Sequence, residues 1–133
     1  MAEPFEDLGQ GRRVLVVEDD PASRRALVSL LKLHGFEATF AANLSEAIGL
    51  MRSSPHCILL DLMLPDGTGA AILEHVRSHH LPIRIAFTTG TADWRKFVEG
   101  TEFRPDAIFI KPLDFESISR WLIGEVAPAF PGA

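Results

Sequence analysis

The chain has 133 residues, 47% of them hydrophobic, and a formal net charge of −5. That length bounds one domain with a single good core, and the composition excludes a disordered chain. No apolar run approaches the roughly 20 residues that span a bilayer, no basic block offers a footprint for nucleic acid, and the acidic start lacks a signal-peptide core, so a cytoplasmic protein is expected.

Residues 1–11 form an expected flexible leader ending in Gly9, Gln10 and Gly11. Residues 13–17 are β-branched and apolar, which predicts a strand covered on both faces. Glu18, Asp19 and Asp20 close it, and Pro21 opens a helix over residues 21–34, with Asp20 expected as its N-cap. Ala22, Ala26, Leu27, Leu30, Leu31 and His34 make its apolar face, and Gly35 its stop. Residues 36–42 are less uniformly apolar, as in a strand nearer a sheet edge. Asn43 and Glu46 have capping-box spacing for a second helix that turns Leu44, Ala47, Ile48 and Met51 inward and ends before Pro55.

Cys57, Ile58, Leu59 and Leu60 then run straight into Asp61. Such a short apolar run reads as a strand buried on both faces, and as the chain's single cysteine Cys57 is expected to be a buried, inert thiol. Pro65, Asp66 and Gly67 are ordinary turn chemistry, with Asp66 a turn residue. A third helix over residues 69–79 carries Ile72, Leu73 and Val76. A fourth strand over 83–88 ends in Thr88, Thr89 and Gly90, and a short helix over 92–99 groups Trp94, Phe97 and Val98. Trp94 and Phe97 could form a partner patch, but a helix this short needs apolar anchors, which favours a core role. Residues 107–110 are the fifth strand, closed by Lys111 and Pro112, and Asp114 caps a last helix with Phe115, Ile118, Trp121 and Leu122 on one face. Residues 12–127 are the expected domain and 128–133 a tail. His34, His56, His75, His79 and His80 have no metal-ligand spacing.

Strand and helix alternate five times with short connections, which predicts an α/β fold: a doubly wound, five-stranded parallel sheet with helices on both faces. The flavodoxin-like order 2-1-3-4-5 places the three most apolar strands centrally and puts the switch point between strands 1 and 3. Glu18, Asp19 and Asp61 would meet there. Two like charges about 4 Å apart cost roughly 4 kcal/mol at an effective dielectric near 20, so the trio needs a cation, and oxygen-only ligands suit Mg²⁺. Lys111 adds a fixed positive charge, and a hydroxyl at Thr88 or Thr89 can donate to an incoming anion. Acids, divalent metal, lysine and hydroxyl around one aspartate describe phosphoryl transfer to a carboxylate.

The segments at residues 14–20, 59–67 and 111–112 together resemble the receiver domain of two-component response regulators (the CheY-like family), over residues 12 to 126. The resemblance implies that Asp61 accepts a phosphoryl group from a histidine kinase or histidine phosphotransfer protein, with Mg²⁺ or Mn²⁺ as cofactor. It implies Asp19 as the more direct metal ligand, Glu18 acting largely through water, and Met63 lending its backbone carbonyl. Lys111 would contact the phosphoryl group, and a cis bond to Pro112 is usual in the family. Thr89, followed by the small Gly90 and 22 positions before Lys111, fits the family's switch hydroxyl, with Thr88 in reserve. Ile108 departs from the Tyr or Phe common at the aromatic switch position, and Phe109 faces the other side of its strand.

The expected function is a phosphorylatable signalling module, not a metabolic enzyme, that catalyses its own phosphorylation and slow hydrolysis and switches conformation toward an effector domain or target protein. A homodimer through the fourth helix, fifth strand and fifth helix is a further expectation from the resemblance; nucleic acid and membrane are not expected partners. A receiver-like interaction domain that does not switch is the alternative. A phosphohydrolase with an aspartyl-phosphate would want a second acid two residues after Asp61, where Met63 stands.

Overall fold

The computed structural model describes residues 7–124. The start of the leader through residue 6 and everything from residue 125, including the expected tail, lie outside the described residues. The elements are β1 (Arg13–Val17), α1 (Pro21–Leu33), β2 (Glu37–Ala41), α2 (Leu44–Leu50), β3 (Cys57–Asp61), a hairpin of β4 (Met63–Leu64) and β5 (Gly67–Thr68), α3 (Ala70–Ser78), β6 (Arg84–Thr89), β7 (Ala107–Ile110) and α4 (Phe115–Leu122).

The main sheet runs β2-β1-β3-β6-β7, every neighbouring pair parallel, which is the expected order for its five strands. All five residues of β3 are buried, as a central strand with helices on both faces requires. Successive side chains alternate between two apolar layers. Leu15, Val17, Ile58, Leu60, Ile85, Phe87 and Ile108 pack with Ala47 of α2 and Ile72, Leu73 and Val76 of α3. Val14, Val16, Leu59, Ala86, Ala107 and Phe109 pack with Val28 and Leu31 of α1 and Ile118, Trp121 and Leu122 of α4. Ile108 and Phe109 therefore enter opposite layers, and Phe109 meets Trp121 edge-on at 6.0 Å between ring centroids. Cys57 is buried, and burial pushes its thiol pKa up.

Caps hold the helix starts. The Asp20 carboxylate accepts from the Ser23 N–H at 2.8 Å, and Asn43 Oδ1 from the Glu46 N–H at 2.9 Å. Asp114 accepts from the Glu116 N–H and the Ser117 hydroxyl. Gly9 and Gly11 of the leader donate to the carbonyls of His34 and Gly35, which ties residues 9–11 onto the turn after α1.

Three local expectations shift. The face of α1 is rotated: Val28 is buried, whereas Ala22, Ala26 and Leu30 are exposed. Ala26 and Leu30 instead border an open cavity of about 390 Å³ between α1 and α4. Ile48 of α2 is 46% exposed, because the seven-residue helix turns only Ala47 fully inward. The helix expected over 92–99 is a 3-10 turn, Trp94–Val98. Only Trp94 and Val98 of that turn are buried, too little apolar face to sustain an α-helix of several turns. Trp94 belongs to the core, with its ring 6.5 Å from Phe87, while Phe97 is partly buried against it.

Candidate functional site

Register alone brings the acids together. Val17, the last residue of β1, lies beside Leu60, and Asp61, the last of β3, lies beside Thr88. Glu18 and Asp19 therefore leave β1 next to the point where Asp61 leaves β3. One carboxylate oxygen from each of Glu18, Asp19 and Asp61 lies within 4.8 Å of the others. Glu18 and Asp61 are only 6% and 7% exposed, while Asp19 opens to solvent.

Lys111 spans the two buried acids: its Nζ donates to Glu18 Oε1 at 2.8 Å and to Asp61 Oδ2 at 3.2 Å. Partial burial pulls the ammonium pKa down, but hydrogen bonds and charge from Glu18 and Asp61 outweigh that, so it stands above its ordinary value. The Lys111–Pro112 peptide bond is cis, and the Lys111 N–H donates to the Thr89 carbonyl at 2.7 Å. One cation among three carboxylates leaves an excess of negative charge, and an open, oxygen-only donor set of this kind fits a hard divalent ion such as Mg²⁺.

The two threonines part company. Thr88 points into the α1–α4 side and lines the cavity there with Glu18, Lys111 and Pro112. Thr89, on the opposite face of β6, accepts from the Thr91 N–H at 3.2 Å, which leaves its hydroxyl hydrogen available to donate. Gly90 borders open space. On the other flank, the Met63 N–H donates to Asp61 Oδ1 at 3.2 Å. Gly69 has a strict packing reason: a Cβ there would stand 2.6 Å from the Asp61 carbonyl oxygen and 2.9 Å from Leu60 Cγ. The α3 start can thus approach the Asp61 backbone only through glycine.

Two residues near the site carry roles that sequence reading did not assign. Arg24 donates from Nη1 to the Glu18 carbonyl at 3.0 Å and sits 5.4 Å over the Phe40 ring. Asp66, expected to be a turn residue, accepts from the N–H groups of Leu44 at 2.9 Å and Ser45 at 3.2 Å. The 22-residue gap between Leu44 and Asp66 hides that contact from any local pattern.

Among the described residues no helix is long and apolar enough to cross a membrane. Comparison with known proteins agrees with the fold. The response regulator receiver domain family matches residues 14–122. The chain is 29% identical to the photosynthetic apparatus regulatory protein RegA of Rhodobacter capsulatus, over 97% of this chain and 72% of RegA. It is 36% identical to the transcriptional regulatory protein SrrA of Staphylococcus aureus (strain NCTC 8325 / PS 47), over 74% of this chain but only 41% of SrrA. Among solved structures, the non-phosphorylated HemR receiver domain from Leptospira biflexa superposes with a TM-score of 0.74 at 27% identity, covering 90% of this chain and 99% of that one. With its sheet order, its acid cluster and a family match over most of its length, this chain belongs to the receiver domains of two-component response regulators.

Proposed function

We propose that Asp61 is the phosphoacceptor of this receiver domain, supplied by a histidine kinase or histidine phosphotransfer protein. The observation that carries this reading is the convergence of Glu18, Asp19 and Asp61 within 4.8 Å, with the Lys111 ammonium on the two buried members. One Asp61 oxygen attacks the phosphorus of a phosphohistidine. An O–P bond forms as the P–N bond breaks, and the leaving imidazole nitrogen keeps the electron pair. Glu18, Asp19, Asp61 and the Met63 carbonyl would hold Mg²⁺ (or Mn²⁺), which would supply charge neutralisation for the transferring group.

The protein's own groups do the rest. Lys111 moves its ammonium charge from the carboxylates toward the new phosphoryl oxygens. The Thr89 hydroxyl turns to donate to a phosphoryl oxygen. That movement biases a two-state domain toward its active form. With Ile108 buried in the α2–α3 layer and no aromatic ring at that position, the shift passes to the surface through the backbone of β6 and β7. Water attack on phosphorus later breaks the O–P bond, releases phosphate and restores Asp61. The output is binding, to an effector domain or target protein or as a homodimer through the 94–98 turn, β7 and α4, in the cytoplasm. Both curated relatives named above are regulators, which supports a role in signal transduction.

Incubation with acetyl phosphate tests the reading by intact mass. Gain of one phosphoryl group with Mg²⁺, lost in EDTA and in Asp61→Asn, is the expected result. No gain under any condition, including a phosphorylated kinase as donor, overturns it in favour of an interaction domain that does not switch.

A further inference from the structure

Between the acid site and α2 lies a strap that the phosphotransfer chemistry does not use directly. The chain leaves Asp61 through the β4–β5 hairpin, in which Met63 pairs with Thr68 and Leu64 with Gly67. Buried Leu62 and Leu64 root the base of the hairpin in the core, whereas the Met63 side chain is 61% exposed and gives no anchorage. The tip is held by Asp66, whose two carboxylate oxygens take the N–H groups of Leu44 and Ser45, one each. Helix α2 has its own cap in Asn43, whose side chain takes the Glu46 N–H and donates to the Glu46 carboxylate. Asn43 reaches only the Glu46 N–H, so the first two N–H groups of α2, on Leu44 and Ser45, are taken by Asp66, which both completes the helix start and fastens the hairpin. The fit is close: a Cβ on Gly67 would stand 2.7 Å from Leu44 Cδ1, at a backbone φ of +149° that side chains rarely adopt.

We propose that Asp66 is a positioning residue for the acid site: it fastens the hairpin to α2 and so fixes where Met63, three residues earlier, presents its backbone beside Asp61. The inference rests on the reading of Asp61 and Met63 given above. Met63 is the member of that site that sits in the small two-stranded hairpin rather than at the end of a main-sheet strand. Its N–H reaches Asp61 Oδ1, and its carbonyl comes from the same short arm of the hairpin. A free tip lets that arm shift against its Leu62 and Leu64 anchors, loosening the carbonyl offered to a metal ion and the N–H that orients the carboxylate. The Leu44 N–H, helped by the Ser45 N–H and opposed by desolvation, holds the Asp66 pKa below its ordinary value, so the strap is fully charged at neutral pH.

The test measures Mn²⁺ affinity of the full chain from the electron paramagnetic resonance of the free ion, alongside the melting temperature. Partners that orient metal ligands typically contribute ten- to a hundredfold in affinity, and one backbone ligand among several places this case near the low end, about tenfold. Asp66→Ala is expected to weaken Mn²⁺ binding by about that factor. Asp66→Asn keeps one acceptor for the Leu44 N–H and recovers part of the loss; it carries the test if the alanine variant does not fold. Asn43→Ala, which removes the cap of α2 but leaves the strap, is expected to lower the melting temperature and hold Mn²⁺ affinity within twofold. Wild-type affinity in both Asp66 variants, or an equal loss in Asn43→Ala, overturns the positioning role. A wild-type chain that takes up no Mn²⁺, or takes it up equally well as Asp61→Asn, overturns the reading of the site itself and the strap with it.

Discussion

Lys111→Met removes the cation that, among the described residues, bridges the Glu18 and Asp61 carboxylates, and its cost can be worked from the site. Glu18, Asp19 and Asp61 keep oxygens within 4.8 Å of one another. A pair of unit charges at that distance repels by about 3.5 kcal/mol at an effective dielectric of 20. Breaking a fully buried ion pair from one side costs roughly 3–5 kcal/mol, but the Lys111 side chain is 34% exposed and Asp19 lies open to water. Screening brings the expected loss to about 2 kcal/mol, or ~8 °C in melting temperature for a domain of this size. Thermal melts in EDTA at pH 7 read it directly. The loss should shrink to less than half in 10–20 mM Mg²⁺ (about that range suffices for a weak carboxylate site), because a divalent ion replaces the missing charge. Asp61→Asn in the same background should restore most of the stability. A variant as stable as wild type without metal, with an unchanged response to Mg²⁺, refutes the charge balance described here.

The threonines give a second test. Thr89→Ala should keep phosphoryl uptake within about threefold yet lose the phosphorylation-dependent change in hydrogen–deuterium exchange over residues 89–99, whereas Thr88→Ala, on the α1–α4 side, should retain it; the opposite pattern would make Thr88 the switch hydroxyl. Alkaline stability follows from the Lys111 pKa, raised above its ordinary 10.5. A raised folded value means that the stabilisation is complete below 10.5 and fades as pH climbs through the folded value. In metal-free urea titrations the gap between wild type and Lys111→Met should therefore close above pH 10.5; a constant gap contradicts it. On the acid side, hydrogen bonds from the Ser117 side chain and then the backbone hold Asp114 below its ordinary 3.8. Its contribution is present above that value and fades as pH falls below it, so Asp114→Asn should narrow its stability gap to wild type at low pH.

The sheet was legible because its signals are local. Residues 57–61 are apolar until the strand ends, and strands covered on both faces need just such runs. Once strands 1 and 3 are neighbours, the convergence of Glu18, Asp19 and Asp61 follows from register, which is why the site could be read in advance. Asp20 and Asn43 were legible as caps for the same reason: a cap acts on N–H groups two or three residues away.

The illegible parts are all set by packing at a distance. Leu30 has the right period for the core, yet α1 rolls so that Val28 and Leu31 meet the sheet and Leu30 faces the cleft toward α4. The 94–98 turn has helix-like spacing but only two anchors to bury. Asp66 has the composition of a turn, and only the folded chain reveals that its carboxylate reaches across to Leu44 and Ser45. Arg24 likewise gains its role from the carbonyl of Glu18, held next to it by the cap at Asp20.

The measurement that bears most directly on the site is chemical mapping of the acceptor. The protein would be phosphorylated with Mg²⁺ and acetyl phosphate, reduced with borohydride, digested and sequenced by mass spectrometry. An aspartyl phosphate is reduced to homoserine, so homoserine at position 61 and nowhere else is the predicted result. Homoserine at Asp19, Asp20 or Asp66 in place of position 61, or phosphate on a hydroxyl such as Thr89, would contradict the assignment of Asp61 as the acceptor at the centre of this site.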